Sequence, residues 1–128
     1  DGESPATGSA GAMKEAMFDL ANEPLLFWLA FPAIVIGAPL IEELIFRGYL
    51  FSALATSRAG LSGATLITTS LWSLLHITEP WFSIGMIFII GLVLSALLIR
   101  FGSIWITMAC HTAWNGANML AVFVALRP

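Results

Sequence analysis

The sequence predicts an all-α, polytopic transmembrane bundle of about four to five helices with a polar site in the bundle interior. Three observations lead there. Only 10% of the 128 residues are charged, against about 25% in soluble domains, so the chain cannot coat a globule with polar side chains. It is 59% hydrophobic with a mean hydropathy of +0.91. Residues 24–41, 59–78, 80–99 and 101–126 contain no Asp, Glu, Lys or Arg, and each run is near or above the ~18–20 residues that cross a hydrocarbon layer. Backbone inside lipid must satisfy its own hydrogen bonds, which leaves helices or closed barrels. Period-two alternation is absent, so helices are expected.

The elements follow in order. Residues 1–23 read as a flexible polar N-terminal segment. DGESPATGSAGA (1–12) has linker or tag composition, and MKEAMFDLANE (13–23) has the pattern of a short interfacial helix. A transmembrane domain then occupies 24–128. Its first helix is expected over 24–38, kinked at Pro32 and broken at Gly37-Ala38-Pro39, because proline removes a backbone donor. A second helix starts near Pro39 or Leu40, where proline suits a first helical position, and runs to Ser57. The third spans about 62–78, the fourth 81–100 and the fifth 104–126, with turns at Arg58–Gly63, Glu79-Pro80 and Gly102-Ser103. Gly91 with Ser95, and Ala109, Ala113 and Ala117, repeat at four-residue spacing and predict close helix packing. Alternating five segments puts Lys14, Arg58 and Arg100 on one side, which the basic excess makes cytoplasmic.

Charge and cysteine content exclude other classes. The net charge is −3 with no basic patch, so nucleic acid is not an expected partner. Cys110 is alone, which rules out an internal disulfide and a cysteine metal site. It reads as a small buried residue.

Against this apolar background the ionisable residues of the membrane segments stand out: Glu42, Glu43, Arg47, His76 and His111, with Asn115 and Asn118. Such groups are unfavourable in lipid and face a bundle interior or a wet cavity. Glu43 and Arg47 are four residues apart and share a face. Glu42 is rotated about 100° from Glu43 and is left without that cation. His111, Asn115 and Asn118 form a stripe opposite the three alanines. Bland readings exist for each: a structural ion pair for Glu43 and Arg47, packing hydrogen bonds for the histidines, helix glue for Asn118. Glu42 has the weakest structural explanation. Taken together, a carboxylate, two imidazoles and an amide from three helices can take a proton from water and hold an oxyanion. That chemistry suits amide hydrolysis by direct water attack.

Glu42-Glu43-Leu-Ile-Phe-Arg47-Gly48 resembles the EExxxR motif of the CPBP intramembrane proteases, the CAAX prenyl proteases and bacteriocin-processing proteins also called the Abi family. Trp72-Ser-Leu-Leu-His76 resembles that family's second motif, with Trp72 where Phe is usual, and His111-Thr-Ala-Trp-Asn115 resembles its HxxxN motif. The similarity covers roughly 37–118. It implies an endopeptidase in the membrane, hence a protease-like domain over 24–128. Carried over, Glu42 and His76 activate the attacking water, His111 and Asn115 stabilise the oxyanion, and Glu43 and Arg47 position the helix. The family is often labelled metalloprotease. No cofactor is required by these residues, and zinc on Glu42, His76 and His111 is the alternative. The implied partners are the lipid bilayer and a peptide or membrane-protein substrate, a prenylated one included. The expected location is a prokaryotic cell membrane.

Two rival readings remain. One is a non-catalytic membrane binding or bacteriocin-immunity protein using the same polar cavity. The other is a rhomboid-like serine protease, from the GxSG form of Gly60-Leu61-Ser62-Gly63 with His111. Its bland counterpart is Ser62 as a helix N-cap.

Overall fold

A computed structural model describes residues 19 and 22–126; most of the expected N-terminal segment lies outside the described residues. Four helices follow one another: α1 (Pro24–Ala55), α2 (Gly60–Leu74), α3 (Trp81–Phe101) and α4 (Ile104–Leu126). Among the described residues there is no strand. The all-α bundle is as predicted, and α3 and α4 match their expected bounds within a residue. Helix α2 is shorter than expected: it ends at Leu74, and His76 sits in the turn beyond it.

The main difference is α1. The break expected at Pro39 does not occur, and the two predicted helices are one. Two wider turns, Ala33–Gly37 and Leu44–Leu50, are π-helical. In the first, the Ala38 N–H donates to the Ala33 carbonyl, five residues back. Proline is tolerated when the helix is already out of α register at the carbonyls its ring would meet. The register change leaves a mark: Ala38 donates to Ala33 and Pro39 has no N–H, so neither donor four or five residues on reaches the Ile34 carbonyl. The side chain of Asn115, on α4, donates to it instead, Nδ2 to O 3.3 Å.

With one helix where two were expected, Arg58 and Arg100 still lie at the same end of the bundle. The segment before α1 falls at the opposite end, so the expected grouping of Lys14 with them does not follow.

Burial is inverted relative to a water-soluble domain. Glu43, Arg47, Thr68, Thr69, Ser95 and Thr107 are at most 1% exposed, while Leu25, Trp81, Trp105 and Val124 are more than 70% exposed. Two apolar clusters complete the interior. Phe27 and Val35 of α1 pack on Met119 and Phe123 of α4, with the Phe27 and Phe123 rings stacked at 4.1 Å. Phe46, Trp72 and Leu94 join α1, α2 and α3. Helices α1 and α3 are long and apolar enough to cross a membrane. Helix α4 is as long as α3 and carries His111, Asn115 and Asn118.

The small-residue expectation divides. Gly91 and Ser95 are buried at the α2–α3 contact. Ala109, Ala113 and Ala117 are exposed, so the face expected to pack does not. Helix α4 packs through its other side, where Thr107, Met108, His111, Gly116 and Met119 are buried, because that side carries the polar groups that need partners. Cys110, expected buried, is also exposed. Gly102, at φ +63°, takes the left-handed conformation that ends α3 and turns the chain into α4.

Gly91 allows the closest approach. A Cβ there would lie 2.7 Å from Thr69 Cγ2, 3.1 Å from Trp72 Cε3 and 3.3 Å from Arg47 Nη2. Gly91→Ala is therefore expected to destabilise the bundle by about 1–3 kcal/mol, as overpacking does. Denaturant titration in micelles measures this, and a midpoint equal to wild type would contradict the packing argument.

Candidate active site

The two wide turns of α1 bracket the segment that carries Glu42 and Glu43, and Arg47 lies in the second of them. Arg47 Nη1 donates to Glu43 Oε1 at 2.9 Å, so the expected pair forms, with both side chains fully buried. Arg47 Nη2 reaches the Gly91 carbonyl at 3.4 Å, and the guanidinium lies 4.6 Å from the centre of the Trp72 ring. The cation is thus held by a carboxylate, a backbone carbonyl and an aromatic face, from three helices.

Glu43 has a second partner that the sequence reading missed. His111 Nδ1 is 3.0 Å from Glu43 Oε1. An ionised carboxylate only accepts, so Nδ1 carries the proton. The other ring nitrogen, Nε2, stands 3.9 Å from Glu42 Oε2. Adjacent glutamates therefore converge on one imidazole, at opposite nitrogens, rather than pointing to unrelated places. Their settings differ: Glu43 is 0% exposed and Glu42 26%.

Glu42 is not free of partners either. The Trp72 indole N–H donates to Glu42 Oε2, Nε1 to O 2.5 Å. Trp72 had been read as an aromatic wall only. The signal was present in the sequence, since the one chemical group tryptophan adds over the usual Phe is that N–H.

His76 lies over the same ring, 5.6 Å between centroids, and its Nδ1 donates to the Trp72 carbonyl at 3.0 Å. That leaves Nε2 with its lone pair. Glu42, His76, His111, Asn115 and Asn118 all line one cavity of about 540 Å³, whose rim includes Glu79. Its remaining wall is apolar, from residues such as Phe82, Met86, Ile90, Trp114 and Val122. Asn118 donates to the Trp114 carbonyl in its own helix at 2.8 Å. Asn115 has one amide hydrogen on Ile34 and one left over. Ser62 is neither a helix cap nor a cavity residue. It is exposed in the first turn of α2, after the N-cap Ala59.

The family profile described as type II CAAX prenyl endopeptidase, Rce1-like, matches residues 24–117. The chain belongs to the Rce1-like family. No curated protein and no solved structure matches it. The matched span runs from the start of α1 into α4 and contains Glu42, Glu43, Arg47, His76, His111 and Asn115. Rce1-like membership places the chain among proteases and integral membrane proteins and makes a peptide its substrate class.

In this Rce1-like chain the zinc set considered above does not assemble. Glu43 takes Nδ1 of His111 and the Trp72 carbonyl takes Nδ1 of His76. Among the described residues no three His, Cys, Asp or Glu side chains group so as to hold a metal ion.

Proposed function

We propose that the chain is a multi-pass intramembrane endopeptidase that hydrolyses a peptide bond by direct attack of water, with Glu42 as general base. The observation that carries this reading is the convergence of Glu42, in a cavity walled by apolar side chains, with an imidazole whose far side is bound to a buried carboxylate. An oxygen atom can contact Glu42 and His111 Nε2 together across 3.9 Å.

In the proposed reaction, water forms the new C–O bond as its proton passes to Glu42. The carbonyl electron pair moves to oxygen. His76, whose Nε2 lone pair is left free, accepts from the same water and orients it. The oxyanion takes hydrogen bonds from the remaining Asn115 N–H and from His111 in its imidazolium form, whose charge is flanked by Glu42 and Glu43. The tetrahedral species then collapses, the C–N bond breaks, and Glu42 returns the proton to the leaving nitrogen. No step runs through a metal. The apolar wall suits a peptide with an apolar or lipidated end, a prenylated one included.

The test is cleavage of a quenched fluorescent peptide carrying a prenylated cysteine near its C-terminus, by purified protein in proteoliposomes. Wild type and Ser62→Ala are expected to cleave within about twofold of each other, far below the 10²-fold or larger loss that follows removal of a catalytic nucleophile. Chelator should leave the rate unchanged, and a fluorophosphonate probe should not label Ser62. Loss of activity with chelator, restored by zinc, would replace the metal-free mechanism. Binding without cleavage would favour the non-catalytic reading.

A further inference from the structure

We infer that Trp72 is a positioning residue for Glu42, fixing through its indole N–H which carboxylate oxygen faces the imidazole and which is left for water; this rests on the reading of Glu42 as base. Trp72 is 2% exposed and its ring is held on several sides. The Arg47 guanidinium lies 4.6 Å from the ring centre, and His111 and His76 meet the ring near-perpendicularly at 5.1 Å and 5.6 Å. Gly91 on α3 presses on it so closely that an added Cβ would come within 3.1 Å of Cε3. A ring confined in this way aims its N–H in one direction, and a buried indole N–H needs an acceptor. That acceptor is Glu42 Oε2, at 2.5 Å.

The consequence falls on Glu42. Its side chain has three rotatable bonds and is partly exposed to the cavity. The only other polar group near it is His111 Nε2, at 3.9 Å, outside hydrogen-bond range. The indole therefore supplies the one direct bond that selects a carboxylate rotamer. With Oε2 held, Oε1 has no protein donor among the described residues and is the oxygen left to take a proton. A phenylalanine at this position keeps the ring contacts and loses the selection. Misplacement of a reacting group by about 1 Å lowers rates by up to 10²-fold.

The experiment replaces Trp72 with 3-benzothienylalanine, which has sulfur where indole has N–H and nearly the same shape. Trp72→Phe and Glu42→Gln are run beside it in the proteoliposome cleavage assay, with melting midpoints recorded. The expected result for the benzothienyl protein is a kcat about 10- to 100-fold below wild type, an unchanged KM and an unchanged midpoint. Trp72→Phe should show at least the same loss in kcat. A benzothienyl protein with wild-type kcat, while Glu42→Gln is inactive, overturns the inference and leaves the role of Glu42 standing. An active Glu42→Gln protein removes the base itself. Losses in kcat matched by a lowered midpoint in both Trp72 variants would assign the ring a structural role and also overturn the inference.

Discussion

Glu42→Gln is expected to lower kcat for peptide cleavage by about 10²–10⁴-fold, the range over which a positioned general base contributes, while leaving KM and the melting midpoint near wild type. The amide has the same size as the carboxylate and keeps an acceptor for the Trp72 N–H, so the contact at Oε2 survives. It cannot take a proton. Glu42→Asp should fall between, because the shorter side chain retains the carboxylate and withdraws it from the indole. Single-turnover cleavage in proteoliposomes separates these cases. A Glu42→Gln protein with more than a tenth of wild-type kcat would transfer the base role to another group.

Arg47→Met should have the largest effect on stability, about 3–5 kcal/mol, since removing one partner of a buried ion pair leaves the other charge uncompensated. Here three attachments go at once: the Glu43 bond, the Gly91 carbonyl contact and the stacking on Trp72. Glu43 Oε2 and Arg47 Nε are buried without a hydrogen-bond partner, so the pair is not fully satisfied, and the lower end of the range is expected. Adding Glu43→Gln to Arg47→Met should restore part of the loss. The amide carries no charge and can still accept from His111 Nδ1. A double-mutant cycle by denaturant titration in micelles measures the coupling. A loss below about 1 kcal/mol for Arg47→Met, the level of an exposed pair, would mean that the pair positions the site without stabilising the bundle.

Much of this was legible because lipid makes charge conspicuous. Every ionisable residue of the apolar segments proved to lie in or beside one cavity, and the Glu43–Arg47 pair followed from helical spacing alone. What spacing could not convey was convergence. Glu42 and Glu43 differ by one position on a helix, yet α4 brings a single histidine between them, and that depends on packing. Proline rules failed at Pro39 because they are local. They count the lost donor and cannot see a π turn six residues upstream, nor an asparagine from a helix 76 positions later that satisfies the carbonyl left open. The alanine stripe of α4 was misassigned for a related reason. Small residues permit close packing, but buried polar groups require it, and the side bearing His111 won. Trp72 was undervalued because its ring was considered and its N–H was not.

The second wide turn of α1 has a genetic corollary. A π turn is equivalent to one residue inserted into an α-helix. Deleting one residue between Leu44 and Leu50 would thus restore a regular helix there, with almost no change in composition. The same deletion would rotate everything beyond it by about 100° relative to Glu42 and Glu43, turning Phe51 away from its buried position. In this stretch of the chain reading length is under tighter constraint than residue identity. Substitutions among apolar side chains at its exposed positions Leu44 and Ile45 should be accepted, whereas single-codon deletions should not.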